Sequence, residues 1–315
     1  MATSPGRVTV VGSANLDLVT TCQSLPRPGE TLLATSYREG PGGKGSNQAH
    51  AAARMGAAVS FVGLRGPDPA GQVLADALAA EGVDTSGFTI TDGPTGRALV
   101  MVDAAAENSI IVVQGTNALL TTEHVRSVPA VADADVVVCQ MEVPLEAVQA
   151  ASEVCTGIFV LNPAPAQPLP PALLAATDVL VVNETEYQTV LGAALPDDLT
   201  EIAAAEPQGP GTIVATLGGR GAAVCHQGVV TVLAAPAVEV VDTTGAGDTF
   251  VGVLAAELAA GSDVVTAART AVVAASLSTR RLGATAAMPR RDEVLAATLK
   301  TPGDAPGDQQ AAATA

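Results

Sequence analysis

The strongest structural signal in this chain of 315 residues is the stretch Asp242-Thr243-Thr244-Gly245-Ala246-Gly247-Asp248-Thr249-Phe250. A mostly apolar run at 238–241 precedes it, and a pattern of Ala and Leu at 250–260 predicts that a long helix follows. The glycine-rich turn should therefore lie at a helix N-terminus, where free backbone N–H groups and the helix dipole favour an anion, usually phosphate. Asp248 adds a carboxylate to the same turn, which suits a group that takes a proton from an attacking hydroxyl.

Short apolar strands alternate with helical patterns along most of the chain. Strands that are apolar at every position predict an α/β fold with a doubly wound, mainly parallel sheet that helices flank on both faces. In such sheets ligands bind beyond the carboxyl ends of the strands. We therefore look for functional residues directly after each predicted strand.

Two segments, at about 16–40 and 95–114, break this alternation with β-branched patterns and no intervening helix. They predict a small antiparallel β lid at the ligand edge, and ordinary extra edge strands are the alternative. We expect residues 1–300 to form a single domain. The composition of 301–315 is typical of a disordered tail.

Composition and charge exclude several classes of partner. The net charge of −17 at pH 7 argues against binding to nucleic acid or to an anionic membrane. Four scattered cysteines show neither a zinc pattern nor a disulfide framework. No signal-peptide pattern and no apolar run of about 18 residues is present. We therefore expect a reduced, cytoplasmic protein that does not span a membrane.

A second glycine-rich segment, GGKGSNQA at 42–49, opens the first long predicted helix. Its paired glycines let a ligand approach the backbone, Lys44 supplies a positive charge, and Asn47 offers a donor and an acceptor to a polyol. Residues 40–45 formally match the dinucleotide fingerprint, but they follow no buried strand. Lys44 is not followed by the Ser or Thr of a P-loop, so both of those nucleotide motifs are rejected.

Polar residues follow several other predicted strands. Asn15 and Asp17 occupy alternate positions after the first strand, and Asp17 can accept hydrogen bonds from both hydroxyls of a vicinal diol. A solvated turn is the alternative at this position. Asn183 and Glu186 either form a helix capping box or face the Mg²⁺ of a nucleotide through its waters.

Two weaker signals remain. The turn at 216–221, with sequence TLGGRG, is either a simple hairpin or a place where a nucleotide approaches the backbone. Glu142 stands at the end of the strand predicted at 135–141, and a lone acid at a strand end carries little information.

Taken together, these motifs resemble the PfkB carbohydrate kinase family, in order and with sensible spacing from about Arg7 to Leu299. The segment GGKG-x-NQA and the 242–250 run are the hallmarks, and NPAPA at 162–166 is similar to the ribose-phosphorylating branch of the family. The resemblance implies ATP-dependent phosphorylation of D-ribose at O5, which gives ribose 5-phosphate. It also implies a requirement for Mg²⁺ and activation by a monovalent cation such as K⁺.

The resemblance also implies a role for each residue of the motifs. Asp248 would be the general base, and the N–H groups of Gly245, Ala246 and Gly247 would form the anion hole. The sugar would be held by Asn15, Asp17, Gly43, Lys44, Gly45, Asn47, Glu142 and Asp248. ATP would contact Asn183, Thr216, Leu217, Gly218, Gly219, Arg220, Gly221 and Gly247. Mg²⁺ would face Asn183 and Glu186 through water, and the monovalent cation would be bound by Asp242, Thr244, Ser278, Arg281, Gly283 and Ala287, mostly through backbone carbonyls.

Other acceptors remain open at this point. A kinase for deoxyribose, another pentose or a nucleoside is the first alternative, and Asp17 bears on it because losing a hydroxyl partner leaves a buried acceptor unpaired. A sugar-binding regulator without catalysis is the second alternative. The intact Asp248 and its glycines argue against that regulator.

Two positions depart from the family pattern. Ala287 stands where relatives often offer Ser, so this ligand of the cation is at most a carbonyl. Val272 stands where relatives often place Asn or His near the adenine, which predicts looser selection of the nucleotide. The apolar lid segments, with exposed strand edges, predict a homodimer in which two lids pair.

Overall fold

The apolar segments of the chain form two sheets in the computed structural model, which describes residues 5–105, 108–204 and 209–299. The predicted tail at 301–315 lies outside the described residues. In chain order the strands are Arg7–Val11 (β1), Asn15–Thr21 (β2), Ser36–Gly42 (β3), Ala58–Arg65 (β4), Phe88–Ile90 (β5), Gly96–Val102 (β6), Asn108–Val113 (β7), Val136–Gln140 (β8), Ile158–Asn162 (β9), Val179–Val182 (β10), Thr212–Thr216 (β11), Ala222–His226 (β12) and Val229–Leu233 (β13).

The main sheet has the strand order β13-β12-β11-β10-β9-β8-β1-β4-β5. Every pair from β11 to β5 is parallel, and only β11–β12 and β12–β13 are antiparallel. The carboxyl ends of β1, β8, β9, β10 and β11 therefore meet at one edge of the sheet. Residues of the predicted site follow three of these strands, with Asn15 after β1, Glu142 after β8 and Asn183 after β10, and Thr216 ends β11.

Helices cover both faces of this sheet. They are Lys44–Arg54 (α1), Pro69–Ala80 (α2), Thr122–Ser127 (α3), Pro129–Asp133 (α4), Leu145–Val154 (α5), Pro171–Ala175 (α6), Glu184–Leu191 (α7), Ala246–Ala259 (α8), Val264–Ser278 (α9) and Arg291–Thr298 (α10). Val10 packs into a core with α1, α2, α8 and α9, whereas its neighbour Val11 packs into a second core with α3, α5, α6 and α7. Because strand residues alternate between two apolar cores, the strands are apolar at every position. The predicted fold class is confirmed.

The second sheet is the predicted lid and has the order β3-β2-β6-β7. Its two hairpins, β2–β3 and β6–β7, are antiparallel as expected, and a parallel pair, β2–β6, joins them. That pair is parallel because both strands start from the same point, where Ala14 and Gly96 lie side by side. Both faces of the lid expose apolar side chains at β7: Ile111 and Val113 lie on the face of Leu99, and Ile110 and Val112 lie on the opposite face.

The segment around 242–250 differs from the sequence prediction in two ways. Helix α8 begins at Ala246 rather than Phe250, because Gly245 adopts the left-handed conformation, φ 76°, and caps the helix. The preceding run at 238–241 forms no strand, and Val240 and Val241 are exposed. Asp248 therefore lies inside the first helical turn.

Two further differences concern the ends of the main sheet. Strands β5 and β13 are absent from the sequence prediction, and both lie at sheet edges, where partly exposed residues weaken the apolar signal. Among the described residues, no helix has the length and apolar character needed to cross a membrane.

Candidate active site

Asp248 lies at the junction of helices α1 and α8 and is 8% exposed. Asn47 Nδ2 donates to its Oδ2 at 2.8 Å, and Gln48 Nε2 donates to its Oδ1 at 3.1 Å. The two helices approach closely because Gly252 lies one turn below Asp248. A Cβ at Gly252 would lie 2.3 Å from the carbonyl oxygen of Gln48. Each carboxylate oxygen therefore has one fixed amide donor.

The predicted anion site is at the N-terminus of α8. The first N–H groups of a helix have no acceptor within it. Here Ala246 N–H instead donates to Thr243 O at 3.2 Å, so this predicted member of the anion hole already has an acceptor in the turn. A Cβ at Gly247 would meet nothing within 4 Å, so the surface at this glycine is open. The N–H groups of Gly245, Gly247 and Asp248 are the better candidates for an anion.

The predicted sugar residues converge on the other side of Asp248. Asp17 lies under Gly42, where a Cβ would lie 2.1 Å from Asp17 Oδ2. Burial raises the pKa of Asp17 to about 7, and the charges of Glu142 and Asp248 add to that effect. Asp17 Oδ1 and Asn47 Oδ1 are both buried, and neither has a hydrogen-bond partner among the described residues. Such acceptors are costly unless a ligand donates to them.

Lys44 and Glu142 connect the glycine-rich segment to the strand ends. Glu142 Oε2 accepts from Ser13 Oγ at 2.5 Å and from the backbone N–H of Lys44 at 3.0 Å. Burial alone lowers the pKa of Lys44, but the carboxylates of Asp248, Glu142 and Glu186 outweigh it, and the pKa is raised. Lys44 is therefore a permanent cation among carboxylates. Gly43 and Gly45 allow this loop to pack on the Ser13 segment, since a Cβ at either would lie 2.7 Å from a backbone nitrogen.

Asn183 and Glu186 form the capping box of α7. Asn183 Oδ1 accepts from Glu186 N at 2.8 Å, and Glu186 Oε2 accepts from Asn183 N at 3.0 Å. Burial raises the pKa of Glu186, whereas the bond from Asn183 N–H and the charge of Lys44 oppose that change. The structural alternative is thus present. Glu186 also lies close enough to Lys44 and Asp248 to interact with their charges, and the predicted role of this pair at Mg²⁺ stays a prediction.

The turn at 216–221 joins β11 to β12 as a hairpin with a short 3₁₀ helix, Gly218–Arg220. A Cβ at Gly218 or Gly219 would meet nothing within 4 Å, so the backbone of the turn is open to a ligand. Arg220 pairs with Glu184 at the start of α7, at 3.1 Å. The predicted ATP residues of the turn, which are Thr216, Leu217, Gly218, Gly219, Arg220 and Gly221, thus lie beside Asn183.

The predicted cation residues are partly brought together. Asp242 Oδ1 accepts from Thr244 N and Oγ1, and its Oδ2 accepts from Gly283 N at 2.8 Å. The side chains of the other three point elsewhere: Ser278 bonds within α9, Arg281 pairs with Glu293 at 2.7 Å, and Ala287 is buried. These three have only their backbone carbonyls left for a cation, and the cation site stays a prediction. No group of three or more His, Cys, Asp or Glu side chains that could hold a metal occurs in the described ranges.

The structure adds residues that the sequence prediction omitted. Asn117, just after the lid, bonds to both Ala14 and Asn15. Gln48 stands within the predicted motif, but its bond to Asp248 was not anticipated. Arg38 on β3 has its Nη1 3.0 Å from the position of a Cβ on Gly283. Only Gln48 carried a signal in the sequence, because it belongs to a recognised motif.

Val272 is the second position that departs from the family pattern, on the side of the site predicted for the nucleotide. Val272 is 4% exposed and packs in the core that α8 and α9 share. Its side chain is therefore part of the helix packing. A valine offers no side-chain hydrogen bond, so the looser selection of the nucleotide stays a prediction.

The fold and the site together define a phosphotransferase with an alcohol as acceptor. The family of pfkB carbohydrate kinases matches residues 6–291, and the chain belongs to this family.

Individual relatives agree with this assignment. The ribokinase of Haemophilus influenzae is 38% identical over 296 residues, which cover 91% of this chain and 97% of that protein. The deoxyribokinase of Salmonella typhi is 34% identical over 292 residues, covering 90% and 95%. The structure of ribokinase from Thermotoga maritima superposes with a TM-score of 0.86 at 31% identity, covering 93% of this chain and 99% of that one. Arabidopsis thaliana ribokinase complexed with ribose and ATP gives 0.84 at 32%, covering 94% and 99%.

Proposed function

We propose that this chain transfers the γ-phosphoryl group of ATP to O5 of D-ribose, which gives ribose 5-phosphate and ADP. The observation that carries the proposal is the pair of buried, unpartnered oxygens, Asp17 Oδ1 and Asn47 Oδ1, beside the carboxylate of Asp248. Two acceptors at one end of a buried site suit the hydroxyls of a polyol. The ribokinase names of the relatives and the ribose and ATP of the Arabidopsis complex support this choice of substrates.

In the proposed reaction, O5 forms a bond to the γ-phosphorus while the bond from that phosphorus to the bridging oxygen of ADP breaks. The proton of the hydroxyl passes to Asp248. Because phosphoryl transfer has a loose transition state, positioning and charge stabilisation contribute most of the catalysis. The N–H groups of Gly247 and Asp248 stabilise the negative charge of the transferred group. The Asp248 carboxylate accepts the proton late, and a general base of this kind typically raises the rate about 10²–10⁴-fold.

Mg²⁺ fits the nucleotide side of the site. The Oε2 atom of Glu186 is engaged in the capping box, and no described residue donates to its Oε1, so that oxygen is available to a water of the ion. Asn183 holds Glu186 in place from the other side of the box. Mg²⁺ would neutralise phosphate charge, with these two residues acting through its waters.

A monovalent cation, with K⁺ as our candidate, fits the loop around Asp242. Its donors are all oxygen: the Asp242 carboxylate, Thr244, and the backbone carbonyls of Ser278, Arg281, Gly283 and Ala287. The charge of the bound cation would support the neighbouring turn that starts α8. Asp242 bonds to both Thr244 and Gly283, so it connects that turn to the loop.

We also propose that residues 1–300 act as one kinase domain, that the enzyme works in the cytoplasm, where ATP is available, and that it is a homodimer. The exposed apolar side chains of the lid support the dimer. Ile110, Ile111, Val112 and Val113 are each 44–58% exposed on consecutive positions of β7. β3 and β7 at the sheet edges offer unpaired backbone groups to a second lid.

A coupled assay of ADP formation over a panel of sugars tests the proposal. We expect D-ribose to give the highest kcat/KM, with 2-deoxyribose lower because the missing hydroxyl leaves a buried acceptor unpaired, a cost of about 1–3 kcal/mol. A preference for 2-deoxyribose would instead agree with the Salmonella typhi relative. Turnover that no sugar stimulates would reject the kinase assignment. Asp248→Asn tests the base: ribose and ATP should still bind while turnover collapses.

A further inference from the structure

The side-chain amide of Gln48 is fully buried and uses both of its ends. Its Nε2 donates to Asp248 Oδ1 at 3.1 Å and to Asn162 Oδ1 at 3.1 Å. Its Oε1 accepts from Gln140 Nε2 at 2.6 Å. Gln48 thus joins the base on α8 to the carboxyl ends of β8 and β9.

The orientation of this amide is determined by its neighbours. Asn162 Nδ2 donates to the backbone carbonyl of Val181 on β10 at 3.1 Å, so Asn162 must turn its oxygen toward Gln48. Gln140 turns its nitrogen toward Gln48. A reversed Gln48 would set oxygen against the oxygens of Asn162 and Asp248, and nitrogen against nitrogen at Gln140. The chain of amides therefore presents a donor, and only a donor, to Asp248.

That donor has a consequence for the carboxylate. Asn47 donates to Oδ2 and Gln48 to Oδ1, so the plane of the Asp248 carboxylate is held at both oxygens. Both donors are neutral, so they orient the base without cancelling its charge as an arginine or lysine partner would.

We propose that Gln48 is a positioning residue for the phosphoryl transfer, which holds Asp248 in its proton-accepting orientation through an amide chain anchored at the Val181 carbonyl. The proposal rests on the role of Asp248 as base. It is not needed for sugar binding as such, because Gln48 lies behind the carboxylate, in contact with strand ends. Gln48 should therefore affect kcat, with little effect on the affinity for ribose or ATP.

Gln48→Met keeps the volume and the apolar stem but removes the amide. We expect kcat to fall about 10–100-fold, which is part of the 10²–10⁴-fold rate enhancement that a general base gives. The dissociation constants of ribose and ATP should change less than about threefold. The double variant with Asp248→Asn separates orientation from folding. If Gln48 acts through the base, Gln48→Met costs little further activity in the Asp248→Asn background. Equal, additive losses in both backgrounds would overturn the proposal.

Gln48→Glu gives a second readout. A second carboxylate in this place disfavours another negative charge beside it, so the acidic limb of the pH–kcat profile should move to higher pH. The other charged groups that face Asp248, which are Asp17, Lys44 and Glu186, are the same in both proteins. The matched control is Gln72→Glu on α2, where Gln72 Nε2 also donates to a carboxylate, that of Asp76, but on the exposed surface. The control should leave the profile unchanged, and an unshifted profile for Gln48→Glu would contradict the proposal.

Two results keep the inference separate from the function it rests on. Full turnover by Asp248→Asn would reject the base, and with it the proposed mechanism, whatever Gln48 does. Loss of turnover by Asp248→Asn with no effect of Gln48→Met rejects only the role of Gln48. Should Gln48→Met fail to fold, Asn162→Leu carries the test, because it removes the anchor at the Val181 carbonyl that fixes the orientation of Gln48 and leaves Gln48 in place. A loss in kcat alone is expected there, and unchanged kcat counts against the proposal.

Discussion

Asn117 Nδ2 donates to Asn15 Oδ1 at 2.8 Å, and both residues are 2% exposed. The orientation of Asn117 is itself fixed, because its Oδ1 accepts from Ala14 N at 3.1 Å and its Nδ2 also donates to Ala14 O at 3.2 Å. Asn15 must therefore turn its oxygen to Asn117 and keep its own NH₂ group for another acceptor. In the proposed enzyme that acceptor is an oxygen of the sugar.

Asn117→Asp should weaken ribose binding about 10–100-fold, the effect of about 1–3 kcal/mol from one misoriented buried group. The new carboxylate repels Asn15 Oδ1, so the amide of Asn15 turns over and presents an acceptor where the sugar needs a donor. Calorimetric titration with ribose measures the change, and the KM for ATP should stay the same. Asn108→Asp, at the exposed start of β7, is the control. Unchanged ribose affinity in Asn117→Asp would exclude this role.

Asn117 shows why part of the site was beyond sequence reasoning. Its contact with Asn15 joins residues 102 positions apart, and no local pattern marks it. By contrast, Lys44 and Asp248 were found because glycines and helix starts next to them are local signals. The network behind Asp248 needed the sheet itself, since Gln140 and Asn162 meet only when β8 and β9 lie side by side.

The fold was easier to predict from the sequence than the site. Alternation of apolar strands with helices is a repeated local pattern, and it correctly predicted a parallel sheet with two covered faces. The start of α8 was misplaced because Gly245 and Gly247 are poor helix formers and mask the helical preference of Ala246 between them. The left-handed Gly245 and the packing of Gly252 on α1 set that boundary. Both are tertiary effects.

Gly42→Ala should raise the KM for ribose at least about tenfold, because the new methyl group would displace the Asp17 carboxylate. Gly40→Ala is a matched control on the same face of the same strand. Gly40 is paired with Asp17 across the β2–β3 hairpin, yet a Cβ there would meet nothing within 4 Å. Steady-state kinetics of both variants decide the matter. Equal effects of the two substitutions would mean that strand stiffness, and not the Asp17 contact, sets the affinity.

Asp17→Asn should stabilise the folded protein above pH 7 and abolish tight ribose binding. The pKa of Asp17 is raised from 3.8 to about 7, so between these values the folded state binds more protons than the unfolded state. The free energy of unfolding contributed by Asp17 therefore falls as pH rises through this window, by roughly 2–4 kcal/mol. Urea unfolding of wild type and variant at pH 4.5 and pH 8 measures it. The stability gain should be small at the lower pH and full at the higher. An equal gain at both would contradict a raised pKa.

The same pKa predicts that ribose affinity falls below about pH 7. Asp17 must be ionised to accept hydrogen bonds from two hydroxyls, so sugar binding to the protonated form releases a proton. Calorimetry of ribose binding at pH 6 in two buffers of different ionisation enthalpy should show proton release, which should disappear at pH 8.5. Absence of buffer dependence at pH 6 would show that Asp17 is already ionised.

Arg38→Gln should tighten the response to a monovalent cation about two- to fivefold. The Arg38 guanidinium lies against Gly283. Burial raises the pKa of Asp242, but hydrogen bonds from Thr244 and Gly283 and the charge of Arg38 lower it, and the net pKa is lowered. Removing a positive charge there reduces the repulsion of a cation at Asp242. The effect is modest because Arg38 is exposed and solvent screens its charge. Thermal shift against K⁺ concentration measures the half-saturating value without relying on turnover.

The matched control for Arg38 is Arg97→Gln on the same lid. Arg97 is paired in register with Leu16, whereas Arg38 is paired with Val19, so the two arginines leave opposite faces of the sheet. Arg97 approaches Asp68 at 3.7 Å, on the side away from Asp242. Arg97→Gln should leave the K⁺ response unchanged. A similar shift in both variants would assign the effect to overall charge, and an unchanged response in Arg38→Gln would remove Arg38 from the cation site.

Ile111→Glu should convert the proposed dimer to a monomer. Ile111 is 58% exposed at the centre of β7, the edge strand of the lid, and a charge on a paired apolar face costs several kcal/mol when it is desolvated. Light scattering after size exclusion at several protein concentrations measures the mass. Val229→Glu is the control, since Val229 is 66% exposed on β13, an edge strand of the main sheet. A dimer that survives Ile111→Glu but dissociates with Val229→Glu would place the interface at the opposite edge of the molecule. The lids would then close independently of each other.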